Sequence, residues 1–364
     1  MKRFMSLIIL LLTFLIVYPY ETRAFGKGGI IKTGIVMQNW RIEADSERIA
    51  ELSIPINVIF PVNEKIHIQL YNSPALARFG DFEIGGLSDT WIRGTYILID
   101  GKMMVSGGIG LPTGKTGLTG DEASLSALLS RNVFKFQLPV FGQGFTLSTG
   151  VIYAHSFNDK FAIGSGLNFV YQGKYKYMEY DFDPGEQMGM NVGFDYKPFA
   201  TLKLDMDFLY TFYMRDKLNN TEFFGAAAKL GFKFGLVYGT EKRVLNIEGR
   251  YRHSGKNDTW DGTTLITEPK NSNVKQMELE TFYHIGFSQM FSLDILFDSR
   301  LYTENEYGVG QANIYGVGIK NNIQLTPNIE VSILFRQFSG DAYVIADIQS
   351  CSGKDFQIGT TIKL

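Results

Sequence analysis

The sequence predicts an all-β fold: a transmembrane, antiparallel, up-and-down β-barrel of about 14–16 strands. Three observations predict it. Segment after segment places an apolar residue at every second position. These segments run about 9 to 15 residues, longer than the 5 to 6 usual in a soluble sandwich and long enough to cross a bilayer at a tilt. Short and long connections alternate between them, as they do in membrane barrels.

The elements follow in chain order. Lys2 and Arg3 precede an apolar run from Met5 to Val17, and Thr22-Arg23-Ala24 closes it with small residues. Residues 1–24 therefore read as a signal peptide cleaved after Ala24, and 25–364 as one outer-membrane barrel of a Gram-negative-type cell. The run is shorter than the roughly 20 residues of a spanning helix. After removal of the segment, 32 basic face 36 acidic side chains, a balance that does not favour nucleic acid as a partner. Cys351 is the chain's one cysteine, so an exported product has no internal disulfide and needs another source of stability, which a closed sheet supplies. Mean hydropathy is near zero, against a helical membrane protein. The 39 Gly, 19 Tyr and 29 Phe suit aromatic girdles and a lumen lined by small residues.

The first strands are Ile30 to Met37, Leu52 to Phe60, Ile66 to Tyr71 and Trp91 to Ile99. The clearest alternation is Met188, Met190, Val192, Phe194 and Tyr196 against Gly189, Asn191, Gly193 and Asp195. Leu202, Leu204, Met206, Phe208, Tyr210 and Phe212 repeat it against Lys203, Asp205, Asp207, Leu209 and Thr211. The same period runs through Phe161 to Tyr171, Phe224 to Tyr238, Leu245 to Tyr251, Met277 to Phe287, Phe291 to Leu301, Tyr315 to Ile323, Ile329 to Phe335 and Phe356 to Leu364. Tight periplasmic links are expected at Asp100-Gly101, Asn158-Asp159, Lys197-Pro198, Thr240-Glu241, Ser288-Gln289 and Thr326-Pro327. Long outer links are expected at Pro112 to Ser130, Gly173 to Glu186, Arg215 to Thr221, Ser254 to Lys275, Thr303 to Gly310 and Ser339 to Lys354. One stretch breaks the rhythm. Phe134-Lys135-Phe136-Gln137-Leu138 alternates as a strand of its own, and is expected to be part of a bent strand or a hairpin arm over the mouth.

Charged residues on the non-lipid parity form the candidate functional face: Asp205, Asp207, Lys229, Lys233, Glu248, Arg250, Arg252, Glu278, Glu280, Asp294, Asp298, Arg300, Glu330 and Arg336. An Arg or Lys facing lipid at mid-depth costs roughly 2–4 kcal/mol, so the set lines an enclosed, wet interior. Two readings stand: a ladder of paired charges that fills the interior, or a polar constriction that selects what passes. Inward glycines at Gly164, Gly166, Gly189, Gly193, Gly231, Gly235, Gly316 and Gly318 leave room for a passage or relieve curvature.

Two motifs imitate catalytic or nucleotide sites. Gly108 to Thr116 ends like a phosphate-binding loop, but Ile109 stands where the glycine five residues before Gly114 is required. His253-Ser254 resembles half of a hydrolase triad, yet adjacent strand residues point to opposite faces. His67, His155 and His284 lack a zinc-ligand spacing, and neither a metal nor a cofactor is expected.

Gly86-Leu87-Ser88-Asp89, Gly110-Leu111-Pro112-Thr113-Gly114 and Asp183-Pro184-Gly185-Glu186 resemble the pattern of outer-membrane barrels named after the meta-pathway of phenol degradation. Those barrels are similar in turn to channels for fatty acids and aromatic hydrocarbons. The resemblance covers Gly86 to Tyr210 and implies a channel for small hydrophobic or aromatic compounds. The expected partners are outer-membrane lipid, a small-molecule solute and the barrel-assembly machinery. The function expected is passive passage of small solutes without catalysis. The alternatives are a general porin or structural barrel and, behind them, a barrel lipid hydrolase.

Overall fold

The computed structural model describes residues 28–42, 48–115, 117–138, 140–142, 144–177, 179–344 and 347–364. The signal segment and the position after Ala24 lie outside them. An isolated alternating strand leaves its backbone N–H and C=O groups unpaired, and a sheet in lipid satisfies them only by closing on itself. The chain does so: β1 (Ile30–Ile42) pairs with β25 (Asp347–Lys363) along its whole length, from Ile30 opposite Lys363 to Ile42 opposite Cys351. The result is a closed antiparallel barrel of 16 staves, the top of the expected range. An even number is required because the first and last staves run in opposite senses.

Staves two, three and four are each kinked into two strands. They are β2 (Arg48–Ser53) with β3 (Ile56–Pro61), β4 (Ile66–Asn72) with β5 (Pro74–Phe79), and β6 (Phe82–Leu87) with β7 (Thr90–Leu98). Pro55 lacks an N–H, so the ladder breaks beside it. At that level the N–H of Ile54 donates to the Pro74 carbonyl (2.9 Å) and that of Ser88 to the Ser73 carbonyl (3.0 Å). β8 (Met103–Leu111) completes the first five staves. Helix α1 (Gly120–Leu129) interrupts before β9 (Thr146–Asn158) and β10 (Phe161–Gln172). The short strands β11 (Tyr175–Tyr177) and β12 (Tyr180–Asp183) stand before β13 (Gln187–Phe199) and β14 (Leu202–Tyr213). Next come β15 (Arg215–Leu218), β16 (Thr221–Gly225), β17 (Lys229–Thr240), β18 (Arg243–Ser254), β19 (Asp258–Trp260) and β20 (Leu265–Thr267). The final staves before β25 are β21 (Gln276–Gly286), β22 (Phe291–Tyr302), β23 (Ala312–Thr326) and β24 (Ile329–Val344).

The tight links that follow β3, β7, β9, β13, β17, β21 and β23 gather at one end, where Leu364 donates its N–H to the Gly29 carbonyl at 2.7 Å; the short links after β5 and β24 lie at the other. One turn is displaced from its expected place. Lys197-Pro198 lies inside β13 as a bulge, where the ladder slips between Tyr196 and Phe199, because Pro198 has no N–H to offer. At the other end, β11, β12, β15, β16, β19 and β20 form a second, six-stranded sheet built from three long loops. The expected long link from Ser339 to Lys354 is strand instead. Ser339 opposes Ser352 and Val344 opposes Asp347, so its polar residues belong to a hairpin standing above the apolar belt.

The outward faces expose Ile92, Ile109, Leu147, Leu167, Phe208 and Val317 in a continuous apolar band. Phe157, Phe199, Tyr238 and Phe287, each more than half exposed, ring its tight-turn end, as girdle aromatics do at a headgroup layer. Among the described residues no helix is long and apolar enough to cross a membrane. The one-oily-face reading fails in the long-loop half of the interior. Trp40, Ile42, Ile49, Ile314, Phe338 and Val344 point inward there and are fully or almost fully buried. What buries them is the loop between β8 and β9.

Candidate functional site

That loop, residues 112–145, is rooted where β8 ends. Thr113 donates its hydroxyl to the Ser88 carbonyl (3.0 Å) and accepts the N–H of Thr90 (2.9 Å). Gly114 donates its N–H to Asp89 Oδ1 (2.9 Å). The two legs cross in contact: a Cβ on Gly114 would lie 2.0 Å from the Phe141 carbonyl oxygen, and one on Gly142 would lie 2.7 Å from that of Lys115. The run that imitates a phosphate-binding loop is therefore the neck of this loop. Beyond the neck, Thr119 and Glu122 form a reciprocal capping box that starts α1. Leu125, Leu128 and Leu129 then pack into one core with Trp40, Ile49, Ala77 and Ile84.

From α1 the chain crosses the lumen. The loop grows out between the fifth and sixth staves, yet residues 131–138 contact β21, β22, β24, β1 and β2. The thirteenth stave, β22, is half the circumference from the fifth. Phe134 to Leu138 belongs to no sheet and turns at Lys135, contrary to the expected bent strand or hairpin arm. Its backbone is held by side chains from the wall instead of by a ladder. Gln38 donates Nε2–H to the Lys135 carbonyl (3.1 Å) and accepts the Gln137 N–H at Oε1 (2.5 Å). Leu138 donates its N–H to Glu51 Oε1 (3.1 Å). Arg300 donates to the Val133 carbonyl, and Arg131 Nη1–H to that of Tyr343 (3.0 Å). Phe134 packs on Trp40 with ring centroids 5.1 Å apart.

The predicted charged residues share the inward face in several clusters, and the loop divides them. On the covered side, Lys135 Nζ lies 3.1 Å from Glu278, 2.7 Å from Glu280 and 3.4 Å from Asp298. Arg300 Nε donates to Asp298 Oδ1 at 2.7 Å. Tyr302 Oη donates to Glu278 Oε1 at 2.9 Å, and Arg336 pairs with Asp355. The side chains of Glu278, Asp298 and Arg300 are 3%, 6% and 1% exposed. On the other side, Lys233 lies 3.1 Å from Glu248, which also pairs with Arg250. There Lys233 and Arg250 are each 39% exposed. Asp207 stands opposite Lys233 and Asp205 opposite Gly235. Lys229 sits over the Tyr213 ring, and Arg252 reaches Glu278 at 3.6 Å. Asp294 and Glu330 lie apart toward the tight-turn end, Asp294 accepting from Asn322 (3.1 Å) and contacting His284 Nδ1 (2.6 Å). Glu330 stands opposite Thr361.

The wet side is also the side of small residues. Gly166 lies against Asn191, Gly189 against Asn168, Gly193 against Asp207 and Gly235 against Asp205, each so close that a Cβ would make the facing side chain shift. Gly316 and Gly318 serve the covered side, making room for Phe338 and Arg336. Inward-pointing Leu209 and Ile152 are nonetheless 42% and 38% exposed, so the lumen beside them is unfilled. A cavity of about 410 Å³ opens nearby, lined in part by His67, Gln69, Trp91, Arg93, Ser106 and Asn168. Arg93 lies over the Trp91 ring at 4.9 Å.

Sequence reasoning missed Lys135, Gln38, Glu51, Arg93 and Asp355. The last four sit on the inward parity of their strands and were accessible to the same argument; Lys135 was not, because its segment belongs to no strand. The other tempting pair is not assembled. β18 remains a strand through Ser254, so His253 and Ser254 leave it on opposite faces. His155 packs edge-on against Phe157. Among the described residues no three His, Cys, Asp or Glu side chains are grouped as metal ligands.

No family model and no curated protein matches the chain. Solved structures do. The outer membrane protein OpdK of Pseudomonas aeruginosa superposes with a TM-score of 0.50 at 7% identity, over 92% of this chain and 99% of that one. OpdQ of the same organism gives 0.49 at 9%, over 93% and 99%. An outer membrane channel of Pseudomonas putida gives 0.41 at 8%, over 95% and 99%. The likeness to OpdK is one of fold: this chain shares the architecture of an outer-membrane β-barrel.

Proposed function

We propose that the chain, exported by its N-terminal signal, is an outer-membrane channel for the passive passage of small solutes. The observation that carries the reading is the division of the lumen. A folded-in loop covers one arc of wall with a buried apolar core and the buried Asp298–Arg300 pair, leaving Glu280 at its edge. The opposite arc, from β9 to β18, keeps partly exposed charges of both signs over glycine-rich strands. A barrel filled for structure alone would bury both arcs. Charges of opposite sign held on a narrow wet wall select by size and by field.

The solute class we favour is small and hydrophobic or aromatic. The turn motifs at Gly110 to Gly114 and Asp183 to Glu186 support it. So do the apolar side chains that the passage leaves wet: Leu209, Ile152 and Phe282, the last 37% exposed. A general porin is the second reading, favoured by the mixed charges. Liposomes holding the folded barrel test both. A selective channel takes up an aromatic acid or phenol while swelling little with sugars; a general porin swells with every sugar below a size limit. Liposomes permeable to neither sink the channel.

A further inference from the structure

The lipid-facing wall carries a second feature that transport does not use. At the long-loop end of β1, β2, β5 and β25, the outward parity bears Arg41, Arg48, Arg78 and Lys354, all exposed. Arg41 is the direct cross-strand partner of Arg48, Asn39 that of Lys354, and Ala50 that of Arg78. Like charges directly opposed destabilise a sheet. Arg78 is offset by Glu83 at 2.6 Å, while Arg41, Arg48 and Lys354 have no acidic partner among the described residues. These three line a cavity of about 310 Å³ with Asn39, Gln337 and Ser352.

One step nearer the bilayer centre, the same strands turn apolar. Met37 opposes both Leu52 and Phe356, Leu52 opposes Leu76, and Phe335 opposes Phe356. They line a groove of about 500 Å³ that shares Asn39 and Lys354 with the cationic cavity above it. Met37 and Phe335 are 51% and 42% exposed.

We propose that this paired feature is a binding site for a phosphorylated, multiply acylated lipid of the outer leaflet. Phosphate oxygens take up the N–H groups of Arg41, Arg48 and Lys354, and an acyl chain lies along Met37, Leu52 and Phe356. Charge argues for this occupant. Arginine forks match phosphate geometry, and an anion removes the repulsion between Arg41 and Arg48. A second copy of the barrel brings the same cations to a two-fold axis and worsens it. The inference rests on placing the long-loop end in the outer leaflet, but not on what the lumen carries.

The test is binding of bis-phosphorylated, hexa-acylated lipid A to the folded full-length barrel in detergent, read by native mass spectrometry. The triple variant Arg41→Gln, Arg48→Gln, Lys354→Gln is expected to lose at least ten-fold in affinity. Wild type is expected to lose as much when the lipid is dephosphorylated. Single-channel conductance of the variant, unchanged, shows that it folds and separates this result from the channel reading. Glu43, Asp45 and Glu47 stand between Arg41 and Arg48 in the sequence, outside the described residues. Their replacement by the corresponding amides is expected to leave binding equal or tighter; loss of binding there overturns the assignment. Equal binding by the cation-free variant overturns it. So does displacement of the lipid by equimolar inorganic phosphate, which leaves the groove no part, or dimerisation of the barrel through this face.

Discussion

Lys135 is the residue on which the closed side of the lumen turns. Its backbone sits at φ +49°, a left-handed conformation that costs a non-glycine residue roughly 1–2 kcal/mol. The cost is offset from both ends: Gln38 holds its carbonyl, and Glu278, Glu280 and Asp298 surround its ammonium group. Glu278 has Arg252 and Asp298 has Arg300 as further partners. Removing the lysine therefore takes from Glu280, its side chain 44% exposed, its hydrogen-bonded cation and adds one net negative charge to the wall facing the water, with Arg250 and Arg336 farther off. Lys135→Ala is expected to raise the cation-to-anion permeability ratio about two-fold, read as a shift in reversal potential across a salt gradient. The shift shrinks at 1 M salt, where the screening length falls to about 3 Å. An unchanged reversal potential at low salt breaks the link between this cluster and selectivity. The fourteen charged residues were legible in the sequence because parity alone separates lumen from lipid once a segment is known to be a strand. Lys135 was illegible for the complementary reason: its alternating neighbours imitate a strand, and nothing local tells that its hydrogen bonds go to glutamine and glutamate side chains.

At the scale of elements, the staves were legible and the loops were not. A strand in lipid has its two faces set by two solvents, and that contrast is written into every second residue from Met188 to Phe212. Where a third environment intrudes the rule inverts. Trp40, Ile314 and Phe338 are apolar because a loop covers them, and they carry the same signal as lipid-facing Ile35 or Tyr315. The outer loops follow a local logic of caps and clamps. Asn257, between β18 and β19, and Ser272, before β21, donate their N–H groups to Glu268 Oε1 at 2.8 and 3.1 Å. Burial alone would push the Glu268 carboxyl up; those N–H groups outweigh it and hold the carboxyl below the usual glutamate range. A carboxylate depressed on folding stabilises its clamp fully above the ordinary value of about 4.3 and loses that contribution as pH falls through its folded value. Proteolysis of the 255–275 loop by an acid-active protease is therefore expected to accelerate as pH falls below about 4. Glu268→Gln should be cut as fast already at neutral pH when a protease active there is used instead. If wild type and variant are cut at the same rate at neutral pH, the clamp does not order this loop.

For the whole molecule, the consequence is an asymmetric lumen. A 16-staved barrel left empty encloses an aqueous channel; here the loop from 112 to 145 takes up one side of it and lends its apolar face to a core with Trp40, Ile49 and Ala77. Closure of the sheet does not depend on that core, because β1 and β25 pair along thirteen positions and the tight-turn end satisfies its own backbone. The loop therefore narrows a wall that stands without it. Replacing residues 118–141 by a short Gly-Ser link is expected to leave a folded barrel, shown by the usual resistance of its β-structure to detergent at room temperature. Single-channel conductance should rise at least two-fold, since the passage would then include the arc now occupied. Trp40, Ile42 and Phe338 would become wet, so a fall in stability of about 5–9 kcal/mol accompanies the gain, at about 1.5–3 kcal/mol for each large apolar side chain exposed. A stable, loop-less barrel whose conductance is unchanged would show that the narrowest point lies elsewhere, and the division of the lumen would lose its claim to be what selects the solute.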